Sequence, residues 1–178
     1  LSILKYSVIA FPLAFSGIPI YIHSPNFYAT NVGINIEIIG LCLLFLRLLD
    51  AFLDPFIGHY SDLNFASRDK IVYLGTLLLI IGFWMIFHPI QAYVVLWFCL
   101  SVFLCTLGFS LISINIQAFG SLWDVAKENI TKTIVTREGV SLLGLLFASV
   151  TPSILFYKYG NRNFHILSIV LIFIFFVA

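Results

Sequence analysis

Charged residues are scarce in this sequence, which has nine Lys or Arg and eight Asp or Glu among 178 residues. The formal net charge of +1 leaves no basic field for nucleic acid, so a nucleic-acid partner is excluded. No zinc-binding or phosphate-binding motif is present. The three cysteines, Cys42, Cys99 and Cys105, lie in apolar segments without histidines at ligand spacing. This pattern is typical of buried small hydrophobic residues rather than of a metal site or a disulfide.

Apolar residues are abundant instead. Hydrophobic residues make up 61% of the chain, compared with roughly 45–50% in soluble domains, so the sequence predicts a protein that spans a lipid bilayer. A span needs about 20 apolar residues and must be helical, because an open sheet edge would leave backbone groups without hydrogen bonds in lipid. The sequence predicts six such helices, at approximately residues 4–22, 36–60, 71–88, 92–119, 136–156 and 164–178.

The sixth predicted helix is short. Its fifteen residues would rise only about 22 Å, whereas the hydrocarbon core is about 30 Å thick. We therefore expect that this helix is truncated and that residues 1–178 are a fragment of a larger protein, forming one six-helix transmembrane bundle.

Basic residues in the short loops predict the orientation. Five of them fall on one side of the predicted membrane, namely Lys5, Arg68, Lys70, Lys127 and Lys132, and two fall on the other, Lys158 and Arg162. Since Lys and Arg accumulate in cytoplasmic loops, we expect a multi-pass protein of the cell (inner) membrane with a cytoplasmic N-terminus.

Three charged residues interrupt the second predicted helix. Arg47, Asp50 and Asp54 stand three and four positions apart within an apolar run, so they share one helix face. Ionisable groups at membrane depth are costly and are kept mainly for ions, protons or substrates. Pro55 follows directly and cannot donate to the carbonyl of Ala51, which is left to accept from water or to bind a cation.

Two other helices carry polar faces. On the fourth, a stripe recurs at offsets of four, seven and eleven residues and comprises Thr106, Ser110, Ser113 and Gln117. It predicts either a cavity wall or hydrogen bonds between helices. On the fifth, Arg137 begins a face of small residues that permits close helix packing, formed by Ser141, Gly144, Ala148 and Thr151. Burial of this face would require an anion near Arg137.

The charged stripe also carries a family resemblance. The spacing R-x2-D-x3-D-P-x2-G-x2-S-D, from Arg47 to Asp62, resembles the signature of the glycoside-pentoside-hexuronide:cation symporters, the melibiose permease group of the major facilitator superfamily. Further matches are Phe11-Pro12, Pro19-Ile-Tyr21 and Ser24-Pro25 in the first helix, and Ile114, Ala118, Gly120, Arg137, Glu138 and Leu142–Gly144 near the junction of the fourth and fifth helices. Together they cover most of the chain as the N-terminal six-helix half of such a transporter.

The resemblance implies roles for particular residues. Asp50 and Asp54 correspond to the carboxylates that bind the coupling cation, and Arg137 to a residue near the sugar and cation sites. Because an uncompensated charge in the membrane interior is costly, we also expect Arg47 or Arg137 to supply the countercharge of this pair when the cation is absent. The chain departs from the family at two acidic positions: residues 4–22 contain no Asp or Glu, and the acidic residue of the fourth helix falls near Ile112.

The function predicted from these features is a secondary active transporter that couples a sugar or another small polar solute to Na⁺ or H⁺ by alternating access. It would need no cofactor, and its missing C-terminal six-helix half would be its partner. The alternative is a nontransporting helical membrane protein or the remnant of a split transporter gene. An enzyme is not expected, because the four histidines lie in different segments with no paired nucleophile.

Overall fold

The computed structural model describes residues 7–63, 67–122, 127–159 and 163–177, and nearly all of these residues are helical. No strand occurs in these ranges, so the all-α fold is confirmed. The helices are α1 (Ala10–Ile18), α2 (Ser24–Phe27), α3 (Ile36–Leu63), α4 (Arg68–Ile86), α5 (Val94–Leu122), α6 (Lys127–Tyr159) and α7 (Asn163–Val177). Lys5 and Arg162, which contribute to the predicted orientation, lie outside the described residues, as do the outer ends of the first and last predicted spans.

The first helical run is longer than the sequence predicted. Two π-helical segments, Pro19–His23 and Tyr28–Val32, join α1 and α2 into continuous helix over residues 10–32, whereas the predicted span ended at residue 22. A π turn accommodates one extra residue, so the chain can pass prolines that lack an N–H without leaving the helix. The run ends at Gly33, whose φ of 83° lies in the left-handed region that favours glycine.

Length and composition support the membrane assignment. Among the described residues, three helical stretches are long and apolar enough to cross a bilayer: Arg68–Ile86, Gln91–Ala118 and Thr131–Leu155. The 28-residue helix α3 is not among them, because Arg47, Asp50 and Asp54 interrupt its apolar run. Many of its large apolar side chains are nevertheless exposed, among them Leu44, Leu48, Phe52 and Phe56. Such a surface suits lipid or another membrane helix better than water.

The helices group into two compact units, of which the first comprises described residues within 1–19 and 116–178. In this unit α1 and α7 both pack against α6. The predicted close packing of the small-residue face is confirmed at Gly144, where an added Cβ would lie 2.5 Å from the Phe11 carbonyl oxygen. Ala148, one turn further along, is fully buried, and the ring centroids of Phe11 and Phe147 lie 5.8 Å apart beside this contact.

The second unit comprises residues 20–115 and has an aromatic core. The Tyr28 ring packs 4.7 Å from Phe98, and Phe87 contacts Phe27 at 5.6 Å and Phe83 at 5.3 Å, measured between ring centroids. All five rings are buried. This cluster holds the C-terminal part of the first helical run against α4 and α5.

Glycines bring α4 and α5 into backbone contact within the second unit. A Cβ added at Gly108 of α5 would lie 2.6 Å from both the Gly75 carbonyl oxygen and the Leu79 nitrogen of α4. One added at Gly82 of α4 would lie 2.8 Å from the Cys105 nitrogen. Since real Cβ atoms do not approach backbone this closely, only glycine allows the two helices to adopt this separation.

This contact predicts opposite effects for two matched substitutions. Gly108→Ala should lower the free energy of unfolding by about 1–3 kcal/mol, because α4 and α5 must move apart. Gly40→Ala on α3, where an added Cβ meets nothing within 4 Å, should leave stability unchanged or raise it by roughly 0.5–1 kcal/mol. Thermal unfolding in detergent measures both, and equal midpoints for the two variants would contradict the packing argument.

Candidate functional site

The charged stripe predicted on the second helix lies on α3, and α3 remains helical through Pro55. Asp50 and Asp54 are half-buried, whereas Arg47 is exposed. Because the three residues are one helical turn apart in succession, their side chains project from the same side of α3. The predicted juxtaposition of one cation and two carboxylates is therefore present in the second unit.

The two carboxylates have different surroundings. Asp50 Oδ1 accepts a hydrogen bond of 3.2 Å from Ser110 Oγ of α5, and Ser110 is 5% exposed. Asp54 Oδ1 is buried and has no hydrogen-bond partner in the part of the chain that is described. A buried carboxylate oxygen without a donor or a cation is unfavourable. Asp54 is thus the unsatisfied member of the pair.

Arg47 does not pair with either carboxylate. Its guanidinium carbon lies 3.9 Å from the centroid of the Tyr21 ring, and no nitrogen of Arg47 comes within 4 Å of a carboxylate oxygen among the described residues. This geometry is a cation–π contact. Tyr21 belongs to the first π segment, and its hydroxyl lies within electrostatic range of Asp50 and Asp54.

Sequence reasoning did not assign Tyr21 to the site. Its contact with Arg47 joins residues 26 positions apart and depends on the π turn that follows Pro19. The sequence feature that could have indicated Tyr21 is the family match Pro19-Ile-Tyr21, in which an aromatic residue follows a proline that distorts the helix.

The residues of the polar stripe predicted on the fourth helix differ in their hydrogen-bond partners and in their exposure. Ser110 reaches Asp50, whereas the Thr106 hydroxyl donates to the Phe103 carbonyl of its own helix at 3.2 Å. Ser113 is half-buried and Gln117 is exposed. Ser110 thus supports the interpretation of hydrogen bonding between helices, and the cavity-wall interpretation stays a prediction for the other three.

Arg137 belongs to the first unit, on α6. Its Nη2 donates to Glu138 Oε1 at 2.6 Å, and the Arg137 side chain is 19% exposed. Glu138, the next residue in the sequence, is therefore the anion that was expected near Arg137.

The second half of the signature forms a polar cluster at the C-terminal end of α3. Ser61 and Asn115 are almost completely buried, and Ser61 Oγ donates to Asn115 Oδ1 of α5. Asn115 Nδ2 donates in turn to the Leu111 carbonyl at 2.8 Å. Arg68, at the start of α4, bonds to Asp62 Oδ1 at 2.6 Å and to the Ser61 carbonyl at 3.4 Å. The Ser-Asp pair of the signature thus ties the end of α3 to α4 and α5.

The donor set at the charged stripe consists of oxygens. No group of three or more His, Cys, Asp and Glu residues that could hold a metal ion occurs within the described ranges. Two carboxylates on one helix face, with the Ala51 carbonyl freed between them by Pro55, offer oxygen ligands or proton acceptors instead. Such a set suits a monovalent cation or a proton.

A sequence model of the MFS/sugar transport protein family matches residues 5–178. The chain therefore belongs to this family, and the family predicted from the signature is confirmed. Members of the family are transporters of sugars, and the apolar helices described above belong to a membrane protein. A search of curated proteins and a search of solved structures each returned no match.

The Ser61–Asn115 bond predicts a stability difference between two serines. Ser61→Ala would leave the buried Asn115 Oδ1 without its donor, so we expect the free energy of unfolding to fall by about 1–3 kcal/mol. Ser149→Ala on α6 is the control, because that serine is exposed and bonds only to the Leu145 carbonyl of its own helix. Unfolding in detergent should show little change for the control, and an equally small change at Ser61 would refute the role of the bond.

Proposed function

We propose that this member of the MFS/sugar transport protein family is a cation-coupled symporter of a sugar or another small polar solute, with Asp50 and Asp54 as the site of the coupling Na⁺ or H⁺. The observation that carries the proposal is the buried Asp54 Oδ1, which has no hydrogen-bond partner among the described residues. It lies one turn from a second carboxylate, and the neighbouring Arg47 is engaged by an aromatic ring.

The electrostatics of the pair favour cation binding. Two ionised carboxylates in a poorly solvated place repel each other, and each carries a desolvation cost. A bound Na⁺ or proton reduces both penalties, because it neutralises one of the two negative charges. The Ser110 hydroxyl fixes Asp50 in place, so less conformational entropy is lost when the ion binds.

Coupling requires a second half. In major facilitator proteins the substrate lies between two six-helix halves that rock against each other. We propose that residues 1–178 supply the N-terminal half, with the N-terminus in the cytoplasm and the protein in the cell (inner) membrane. Arg137 would act near the solute, and Thr106, Ser113 and Gln117 would line the cavity.

The cation site is tested by neutral substitutions. Asp50→Asn and Asp54→Asn should each abolish ion-driven accumulation of the solute and leave facilitated exchange, because an amide neither binds Na⁺ strongly nor takes up a proton. Uptake of a panel of labelled solutes, with and without a Na⁺ or H⁺ gradient, measures this.

Asp69→Asn is the matched control for these variants, because Asp69 is an exposed carboxylate in the first turn of α4. It should accumulate solute as the unsubstituted protein does. Accumulation at the unsubstituted level in both Asn variants of α3 would disprove the cation site.

The half-transporter proposal makes its own prediction. Residues 1–178 alone should insert into liposomes but should not transport, because one half has no opposing wall against which access can alternate. Co-expression with a separately encoded six-helix half should restore uptake. Ion-coupled uptake by a monomer of residues 1–178 would contradict the two-half mechanism.

A further inference from the structure

We propose that Tyr21 is a positioning residue that holds Arg47 away from Asp50 and Asp54, so that the carboxylates stay available to the coupling cation. The inference rests on the proposed cation site and adds to it the residue that keeps the site open. On α3, one arginine and two carboxylates share a helix face, but they do not form an ion pair.

An arginine so near two carboxylates would ordinarily form an ion pair with one of them and so compete with a cation. Residues three and four positions apart on a helix lie within reach of each other, and a guanidinium forms strong paired hydrogen bonds with a carboxylate. Arg47 stands three positions before Asp50 and is close enough to act on it electrostatically. The guanidinium instead lies over the Tyr21 ring at 3.9 Å, and Asp54 Oδ1 has no donor within the described ranges.

The backbone around Tyr21 forms a π turn. Tyr21 is the central residue of the π segment Pro19–His23. The Ser24 hydroxyl donates to the Ile20 carbonyl at 2.5 Å, which satisfies a backbone acceptor next to Tyr21 within the distorted region. Because Tyr21 belongs to the first helical run and not to α3, its ring can retain Arg47 while the carboxylates on α3 change partner.

Several ionisable groups act electrostatically on the Tyr21 hydroxyl. Within electrostatic range of its hydroxyl are Arg47, Asp50 and Asp54 on α3, and Cys105 on α5. Arg47 is the cation of this set, so loss of the ring face would leave the carboxylates as its nearest strong partners. The coupling ion would then have to displace an arginine before it could bind.

The test uses the full-length transporter in proteoliposomes and the cation that drives uptake in the unsubstituted protein. Tyr21→Leu should raise the half-saturating cation concentration by about tenfold, equivalent to about 1.4 kcal/mol, while the maximal rate is retained. Tyr21→Met should do the same and provides a second variant if the first folds poorly. Tyr21→Phe keeps the ring face and should stay within about threefold of the unsubstituted protein.

Removal of the arginine distinguishes positioning from general damage. In an Arg47→Gln background, Tyr21→Leu should no longer change the half-saturating cation concentration, because the competing guanidinium is gone. Tyr93→Leu is the matched control, since Tyr93 is 72% exposed in the turn before α5, and it should have no effect. An unchanged cation dependence in Tyr21→Leu, or an equal rise when Arg47→Gln is also present, would overturn the inference.

The Asp54→Asn variant separates this inference from the proposed function. If Asp50→Asn and Asp54→Asn both keep the cation dependence of the unsubstituted protein, the cation site itself is wrong. If Asp54→Asn loses cation dependence while Tyr21→Leu keeps the unsubstituted value, the cation site stands and only the role of Tyr21 fails.

Discussion

A charged side chain on a helix in an apolar medium must have a partner or a use, and the second unit is organised around that constraint. The helix α3 carries Arg47, Asp50 and Asp54 within its central turns. The Tyr21 ring lies against Arg47, and the Ser110 hydroxyl donates a hydrogen bond to Asp50. Asp54 Oδ1 is buried without a hydrogen-bond partner in the described part of the chain, and such a group in an apolar medium is unfavourable unless it binds an ion or a proton.

The position of α5 follows from the same constraint. Ser110 and Asn115 both reach α3 from α5, and each bonds to a polar side chain of the signature. Close to them, Gly108 lies against the α4 backbone. A larger residue at that position would displace α5, and both hydrogen bonds depend on where α5 lies. The glycine contact and the polar contacts therefore specify a single arrangement of α3, α4 and α5.

Much of this was predictable from local pattern. Hydropathy located α3, α4 and α5 to within a few residues, and the spacing of Arg47, Asp50 and Asp54 placed them on one face. Ser110 was among the predicted polar residues, but its partner was not, because a hydrogen bond between residues 60 positions apart depends on helix packing. The π segments were also missed, and the predicted first helix ended at residue 22. Tyr21 lay inside that predicted helix, but its contact with Arg47 joins two helices and therefore depends on how they pack.

The unequal surroundings of the two carboxylates bear directly on how such a site would work. If both were fully hydrogen-bonded, an incoming ion would have to break those bonds, and its affinity would fall accordingly. If neither were held, their repulsion and the entropy of ordering them would oppose binding. Here Asp50 accepts a hydrogen bond from Ser110, and one turn away Asp54 Oδ1 has no hydrogen-bond partner among the described residues. Electrostatic attraction alone would bring the Arg47 guanidinium to the carboxylates of Asp50 and Asp54. For the proposed cation site, the contact of Arg47 with Tyr21 would keep the two carboxylates from forming an internal salt bridge with this arginine.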